Sequence, residues 1–299
     1  MVSPRLRPLA LATAALALVL SGCGGAPEAS TAAPKLVIGS QQYYSNEIIA
    51  ELYAQALEAD GHTIDRQYQI GQREAYLPEM ESGAIDLIPE YSGNLLQYYD
   101  KETQATSSQD VLAALAGVLP SGLRPLAAAQ ATDQDSYNVT AALAAQYGLV
   151  SLADLVKVPG PVKVAANSEL GTRAYGPTGL KSLYGVDAVV VPVEDSGGPL
   201  TVKALVDGTV QAADIYSADP AIATSGFVTL ADPKNLILPQ NVVPIVSAKV
   251  DAAAADVIDR VSARLDTAAL VALDARSVNE QASSAVIAKD WLRQQGLLG

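Results

Sequence analysis

The residues in this chain with the most distinctive chemistry are its tyrosines. There are 13 of them, against one tryptophan, one phenylalanine, one histidine and one cysteine. A core ordinarily uses Phe freely, so a Tyr-dominated set points to a use for phenol oxygens or electron-rich ring faces. Packing is the plain alternative, and it is the reading for Tyr53, Tyr68, Tyr98, Tyr99, Tyr147 and Tyr184. The only histidine, His62, follows Gly61 at the end of a helical stretch and reads as a loop residue. One histidine is poor material for a zinc site, for a Ser-His-Asp triad or for imidazole acid–base work. No Gly-x-Gly-x-x-Gly and no Walker loop occurs. Asp214 and Asp219 resemble a spaced acid pair at first, but without metal-ligand spacing or a base they read as hydrogen-bonding groups around Tyr216. These features predict a non-enzyme with no metal and no cofactor.

The N-terminus predicts where the chain works. Arg5 and Arg7 precede the apolar run Leu9–Leu20, which leads into Leu20-Ser21-Gly22-Cys23. That is the layout of a secretory signal, and Leu-Ser-Gly-Cys resembles the bacterial lipobox, in which the cysteine is acylated and becomes the mature N-terminus. The run is short of the roughly 20 residues a spanning helix needs. Acyl chains contribute about 0.8 kcal/mol per buried methylene, enough for firm anchoring when two or three are present. The expected boundaries are therefore a signal peptide at 1–22 and a lipidated tether at 23–34, with Cys23 as the lipidation site and an extracytoplasmic, membrane-anchored location. Removing the signal takes away two arginines and no acid, so the mature chain is more acidic than the formal −13 of the whole. Such a chain repels nucleic acid and anionic lipid surfaces. With Cys23 acylated, no thiol is left for disulfides or catalysis.

Strands and helices alternate along the rest. Lys35–Ser40 reads as a buried strand, and Ser45–Ala59 as a helix with Ser45 or Asn46 as its cap. Thr63–Ile70 reads as a strand, and Arg73–Ser82 as a helix ending at Gly83. Ala84–Tyr91 is a short strand broken by Pro89. The middle continues with helices at 111–119, 139–147, 178–183 and 200–206, and strands at 162–166, 188–193 and 212–216. A last strand at 241–247 precedes an almost wholly helical tail, 251–265 and 268–295. The length exceeds one typical core and the alternation is that of an α/β fold.

The order of motifs resembles the substrate-binding proteins of ABC transporters for glycine betaine, choline, carnitine and similar quaternary ammonium solutes. Gly39-Ser40-Gln41-Gln42-Tyr43 is similar to the family's opening Gly-Ser-Lys-x-Phe, and Ile85–Asn94 to its Ile-Asp-x-x-x-Glu-Tyr-Thr-Gly-Thr. Asp135-Ser136-Tyr137, Glu169–Arg173 with Gly179-Leu180, and Ala213–Asp219 match its later blocks, and Lys289-Asp290-Trp291-Leu292 its ending. The resemblance runs from about Leu36 to the C-terminus. It implies a two-lobed periplasmic-binding-protein-like fold with the ligand cleft between lobes and two hinge crossovers. Lobe 1 would be 35–132 and the return 241–299, with lobe 2 at 133–240. It also implies a cation cage built from Tyr91, Tyr137 and Tyr216, which the α/β reading sets at or just past strand ends, where such ligands bind.

A ligand carboxylate would meet Arg173, with Asn94 as a further donor; the alternative for Arg173 is an ion pair with Glu169. Asp135 would orient Arg173 or complement the cation, and Tyr43 and Tyr44 would line the cleft. Glu90 reads as structural, near the hinge. Gln240 stands where the family has its fourth cage tyrosine, and Gln41 replaces a lysine that holds the carboxylate in some relatives. Both departures favour choline, a larger betaine or another ligand over glycine betaine. The expected function is a monomeric lipoprotein receptor that delivers a quaternary ammonium solute to a separate ABC permease and ATPase. The alternatives are the same receptor with an ergothioneine-like or non-cationic ligand, an extracytoplasmic lipoprotein hydrolase, and a structural or adhesion lipoprotein.

Overall fold

The computed structural model describes residues 35–298; the signal, Cys23 and the tether lie outside them. The chain begins with strand β1 (Leu36–Gly39), helix α1 (Tyr44–Ala59), β2 (Ile64–Gln67), α2 (Arg73–Glu81), β3 (Leu87–Tyr91), α3 (Ser92–Tyr99), α4 (Ser108–Val118) and β4 (Leu123–Pro125). It then passes to β5 (Tyr137–Thr140), β6 (Val162–Ala166), β7 (Ala188–Pro192), β8 (Ala212–Asp214) and β9 (Phe227–Thr229). It returns through β10 (Val242–Ser247) and three helices, Ala252–Ser262, Thr267–Glu280 and Ser284–Gln294. Two five-stranded sheets result, ordered β2-β1-β3-β10-β4 and β7-β6-β8-β5-β9. The chain thus crosses between sheets twice, once before β5 and once after β9. Among the described residues, no helix is long and apolar enough to cross a membrane.

Alternation along the strands decides the layers. In the first sheet Leu36, Ile38, Leu87, Val242 and Val246 face one core, shared with α1 and the C-terminal helices. Ile88, Val243 and Ile245 face the other, against α2, α3 and α4. Helix α1 is buried nearly all round, from Ile48 through Leu57, because the sheet lies on one side and the returning helices on the other. In the second sheet Tyr137, Val139, Val164 and Ala212 share one core, while Ala165 and Ala213 share the other.

Four sequence expectations change. Pro89 does not break its strand. It sits opposite Pro244 in the antiparallel β3–β10 ladder, where neither ring has a donor to lose, and the Pro89 and Pro244 carbonyls accept from Asn46 Nδ2 and Leu126 N. The residue at the N-cap of α1 is Tyr43, with no side-chain cap. Ser45 is turned to Asp133, and Asn46 is occupied in joining the Gln41 amide to the Pro89 carbonyl. The stretch read as a helix from Val139 begins instead as β5, and Thr140 then caps a helix at Ala141–Tyr147 by accepting from Leu143 N. The tail helix read from Ala268 to Gln295 is two helices, broken where Gln281 turns left-handed (φ 54°) and Ser283 caps the next.

Gly93 lets the second crossover lie against α3. A Cβ there would stand 2.7 Å from Gln240 Nε2, Leu238 Cβ and the Pro239 carbonyl. We expect Gly93→Ala to cost about 1–3 kcal/mol by overpacking. Gly117, near the end of α4 with open space around it, should gain about 0.5–1 kcal/mol on replacement by Ala. Urea unfolding of both variants checks the pair, and equal effects would refute the packing argument.

Candidate functional site

The cavity between the two sheets is walled by segments that leave strand ends. The turn after β1 brings Gln41 and Tyr43, the end of β3 brings Tyr91, and the start of α2 brings Gln72 and Arg73. The first crossover brings Asp133 and Asp135. From the second sheet come Glu169, Arg173 and Tyr175 after β6, and Asp214 and Tyr216 at the end of β8. Ligands of α/β sheets bind at such ends because the loops there are free of the ladder and converge.

The aromatic part of the wall is Tyr43, Tyr91, Tyr216 and Tyr175. The Tyr43 ring lies 6.1 Å from that of Tyr91 at 27° and 5.0 Å from that of Tyr216 at 59°. Burial holds all four phenols well above their ordinary pKa, so the rings are neutral and present unionised faces. Tyr91 Oη and Gln72 Nε2 are buried without hydrogen-bond partners.

The sequence-expected site residues divide. Tyr91, Tyr216, Tyr43, Gln41, Asn94, Asp135 and Arg173 all line the cavity. Tyr137 does not. Strand alternation turns it into the core of the second sheet, 1% exposed, where its hydroxyl donates to the Tyr175 carbonyl at 2.8 Å. It therefore supports Tyr175, the ring that stands in the wall. Gln240 is also out of the wall and fully buried. Its amide braces Asn94 from both ends, accepting from Asn94 N at 2.8 Å and donating to Asn94 Oδ1 at 2.7 Å. Asn94 in turn donates to Asp135 Oδ2 at 2.6 Å. Arg173 is paired with Glu74, at 2.8 and 3.2 Å, and not with Glu169. Tyr44 lies behind the wall and donates to Asp219 at 2.8 Å. Sequence reasoning missed Gln72, Arg73, Asp133, Asn167, Leu170 and Tyr175. For Tyr175 the signal was the tyrosine excess; for Arg73 it was a lone cation opening a helix ahead of buried Glu90.

Glu90 is the structural anchor of the wall. It is fully buried and accepts from Arg73 Nε at 3.0 Å, Arg73 Nη2 at 2.7 Å, Tyr76 Oη at 2.5 Å and the Tyr91 amide at 2.8 Å. The cavity itself is acidic. Asp133, Asp135, Glu169 and Asp214 line it, and its two cations, Arg73 and Arg173, are each already paired with a glutamate. Burial raises Asp133 to about 7. Burial, then the neighbouring Asp135, raises Asp214, and burial raises Glu169. Behind Tyr43 and Tyr216, Asp219 and Asp274 are raised by burial as well, and Asp274 Oδ1 has no hydrogen-bond partner. Among the described residues no group of three or more His, Cys, Asp or Glu side chains is arranged to hold a metal ion. The free volume is about 30 Å³, room for a water or two. A larger guest enters only when the sheets part or side chains turn out. Across the cleft the two halves touch through Arg173–Glu74, Tyr44–Asp219 and Gln42–Ser196.

Residues 34–294 match the OpuAC family, described as the substrate binding domain of the ABC-type glycine betaine transport system. The chain is 26% identical over 287 residues to the glycine betaine-binding protein YehZ of Escherichia coli (strain K12), covering 89% of this chain and 92% of that protein. A solved structure described as a glycine betaine/carnitine/choline ABC transporter superposes with a TM-score of 0.70 at 19% identity, over 88% of this chain and 98% of the other. Lactococcal OpuAC, closed on glycine betaine, superposes with a TM-score of 0.63 at 14% identity, over 88% and 96%. These two share the two-lobed binding-protein fold.

Two outcomes test this description of the site. Glu90→Ala leaves the buried Arg73 guanidinium uncompensated and should cost about 3–5 kcal/mol in urea unfolding; an effect below about 1 kcal/mol would mean that Glu90 anchors nothing. Asp133 binds its proton more tightly folded than unfolded, so its contribution to stability falls as pH rises from about 4 through about 7. Wild type should lose on the order of 4 kcal/mol across that window from this group, and Asp133→Asn should show a shallower slope; parallel slopes would contradict the burial argument.

Proposed function

The chain belongs to the family of substrate-binding domains of ABC-type glycine betaine transport systems, and from that premise we propose that it captures a quaternary ammonium solute against Tyr43, Tyr91, Tyr175 and Tyr216. It is a binding protein of such a transporter and not an enzyme, and proteins of this kind act outside the cytoplasm. In our reading Cys23 carries the lipid that tethers it, and the loaded receptor delivers its solute to a separate permease.

The observation that carries the ligand reading is the pairing of neutral rings with surplus carboxylates around one cavity. A trimethylammonium group has no N–H to donate, so it is recognised by ring faces and negative charge. Each cation–π contact contributes about 0.5–1 kcal/mol when exposed and about 2 kcal/mol or more when desolvated. The carboxylates supply the opposite charge, and a resident cation would favour their ionised forms. Glycine betaine, carnitine and choline share this head group. The YehZ relative is named for glycine betaine, which supports the class.

The test is thermal unfolding of the chain from residue 23 onward, without acylation, in glycine betaine, carnitine or choline. At a hundred times its dissociation constant a ligand adds about 2.7 kcal/mol, on the order of 5–10 °C at this size. We expect Tyr91→Ala and Tyr216→Ala to abolish the shift. Tyr137→Phe, which removes one hydrogen bond behind the wall, should keep it. No shift with any of the three solutes would overturn the quaternary ammonium reading.

A further inference from the structure

The cavity has a single guanidinium that a ligand carboxylate can win. Arg73 is 5% exposed and held by two nitrogens to Glu90, which has no exposure at all. Separating that pair would strand two buried charges, at a cost no small solute repays. Arg173 is different. It lines both the inner cavity and a wider groove of about 610 Å³ that opens beyond it between Lys101 and Thr178. Its partner, Glu74, stands on α2 in the opposite half of the molecule with its side chain 55% exposed. Glu74 engages Arg173 through both carboxylate oxygens, Nη1 to Oε1 at 2.8 Å and Nη2 to Oε2 at 3.2 Å. That two-point grip on a planar guanidinium is the one a free carboxylate makes. Glu74 can return to water cheaply, so the seat is exchangeable.

We propose that Glu74 is a specificity-determining residue: it occupies the place on Arg173 that a ligand carboxylate would take, and so selects against carboxylate-bearing quaternary ammonium solutes in favour of those ending in a hydroxyl. The inference rests on the quaternary ammonium reading above. Glycine betaine must displace Glu74 to reach Arg173, whereas choline, with the same trimethylammonium head, leaves the pair intact. The neighbouring Asp135 acts in the same sense, since its carboxylate repels an incoming anion.

The experiment measures the affinities of glycine betaine and choline by calorimetry for wild type, Glu74→Gln and Arg173→Gln. The readout is the ratio of the two affinities, because loss of a contact between the halves lowers both by the same factor. Glu74→Gln should shift the ratio toward glycine betaine by roughly fivefold, and Arg173→Gln should remove any such gain when combined with it. An unchanged ratio in Glu74→Gln, with both solutes bound, overturns the role of Glu74 and leaves the receptor reading standing. Binding of neither solute to any form, with carnitine failing as well, overturns the quaternary ammonium reading and this inference with it, and leaves membership of the binding-protein family untouched.

Discussion

A buried carboxylate needs compensation, and the site is organised around the way Glu90 obtains it. Arg73, Tyr76 and the Tyr91 amide converge on its two oxygens. A charge with no exposure is stable only when such partners are held in place. The requirement ties the start of α2 and the end of β3 to one point. Because Tyr91 is the next residue and Gln41 lies alongside, the same network sets one wall of the cleft. Glu90 therefore shapes the site without facing it.

The opposite wall depends on support of another kind. Tyr175 sits on an irregular segment after β6, and its carbonyl is held by the hydroxyl of Tyr137 from inside the core. Gln240 does comparable work for Asn94. In both cases a fully buried side chain positions a neighbour that lines the cavity. The pocket is thus lined by neutral rings with carboxyl groups set among them. With so little free volume, and with Arg173–Glu74 and Tyr44–Asp219 joining the halves, a guest larger than water needs the sheets to part or side chains to turn out.

Element type was largely legible in the chain. Apolar spacing in Ile48, Ile49, Leu52 and Leu57 marked α1, and a β-branched run marked β7. Where the reading slipped, tertiary partners had overridden local preference. Pro89 stays in its strand because Pro244 faces it. Ser45 and Asn46 forgo capping because Asp133, Gln41 and Pro89 take their side chains. Most of the expected site residues do meet at one cavity, since motifs at strand ends converge whenever the sheets form.

The sequence by itself determined the α/β alternation, the scarcity of catalytic side chains, the acidic balance and the tyrosine excess. Composition and periodicity are local properties, and no fold is needed to read them. Only the tertiary structure decided which tyrosines face the cleft. A strand turns alternate residues to opposite faces, and the face that Tyr137 received was the core. Tyr175 reached the wall from an irregular segment that has no period to read. The partner of Arg173 was likewise decided in three dimensions. Glu169 is near in sequence, but Glu74, from the other half of the molecule, is the carboxylate that the fold brings to it.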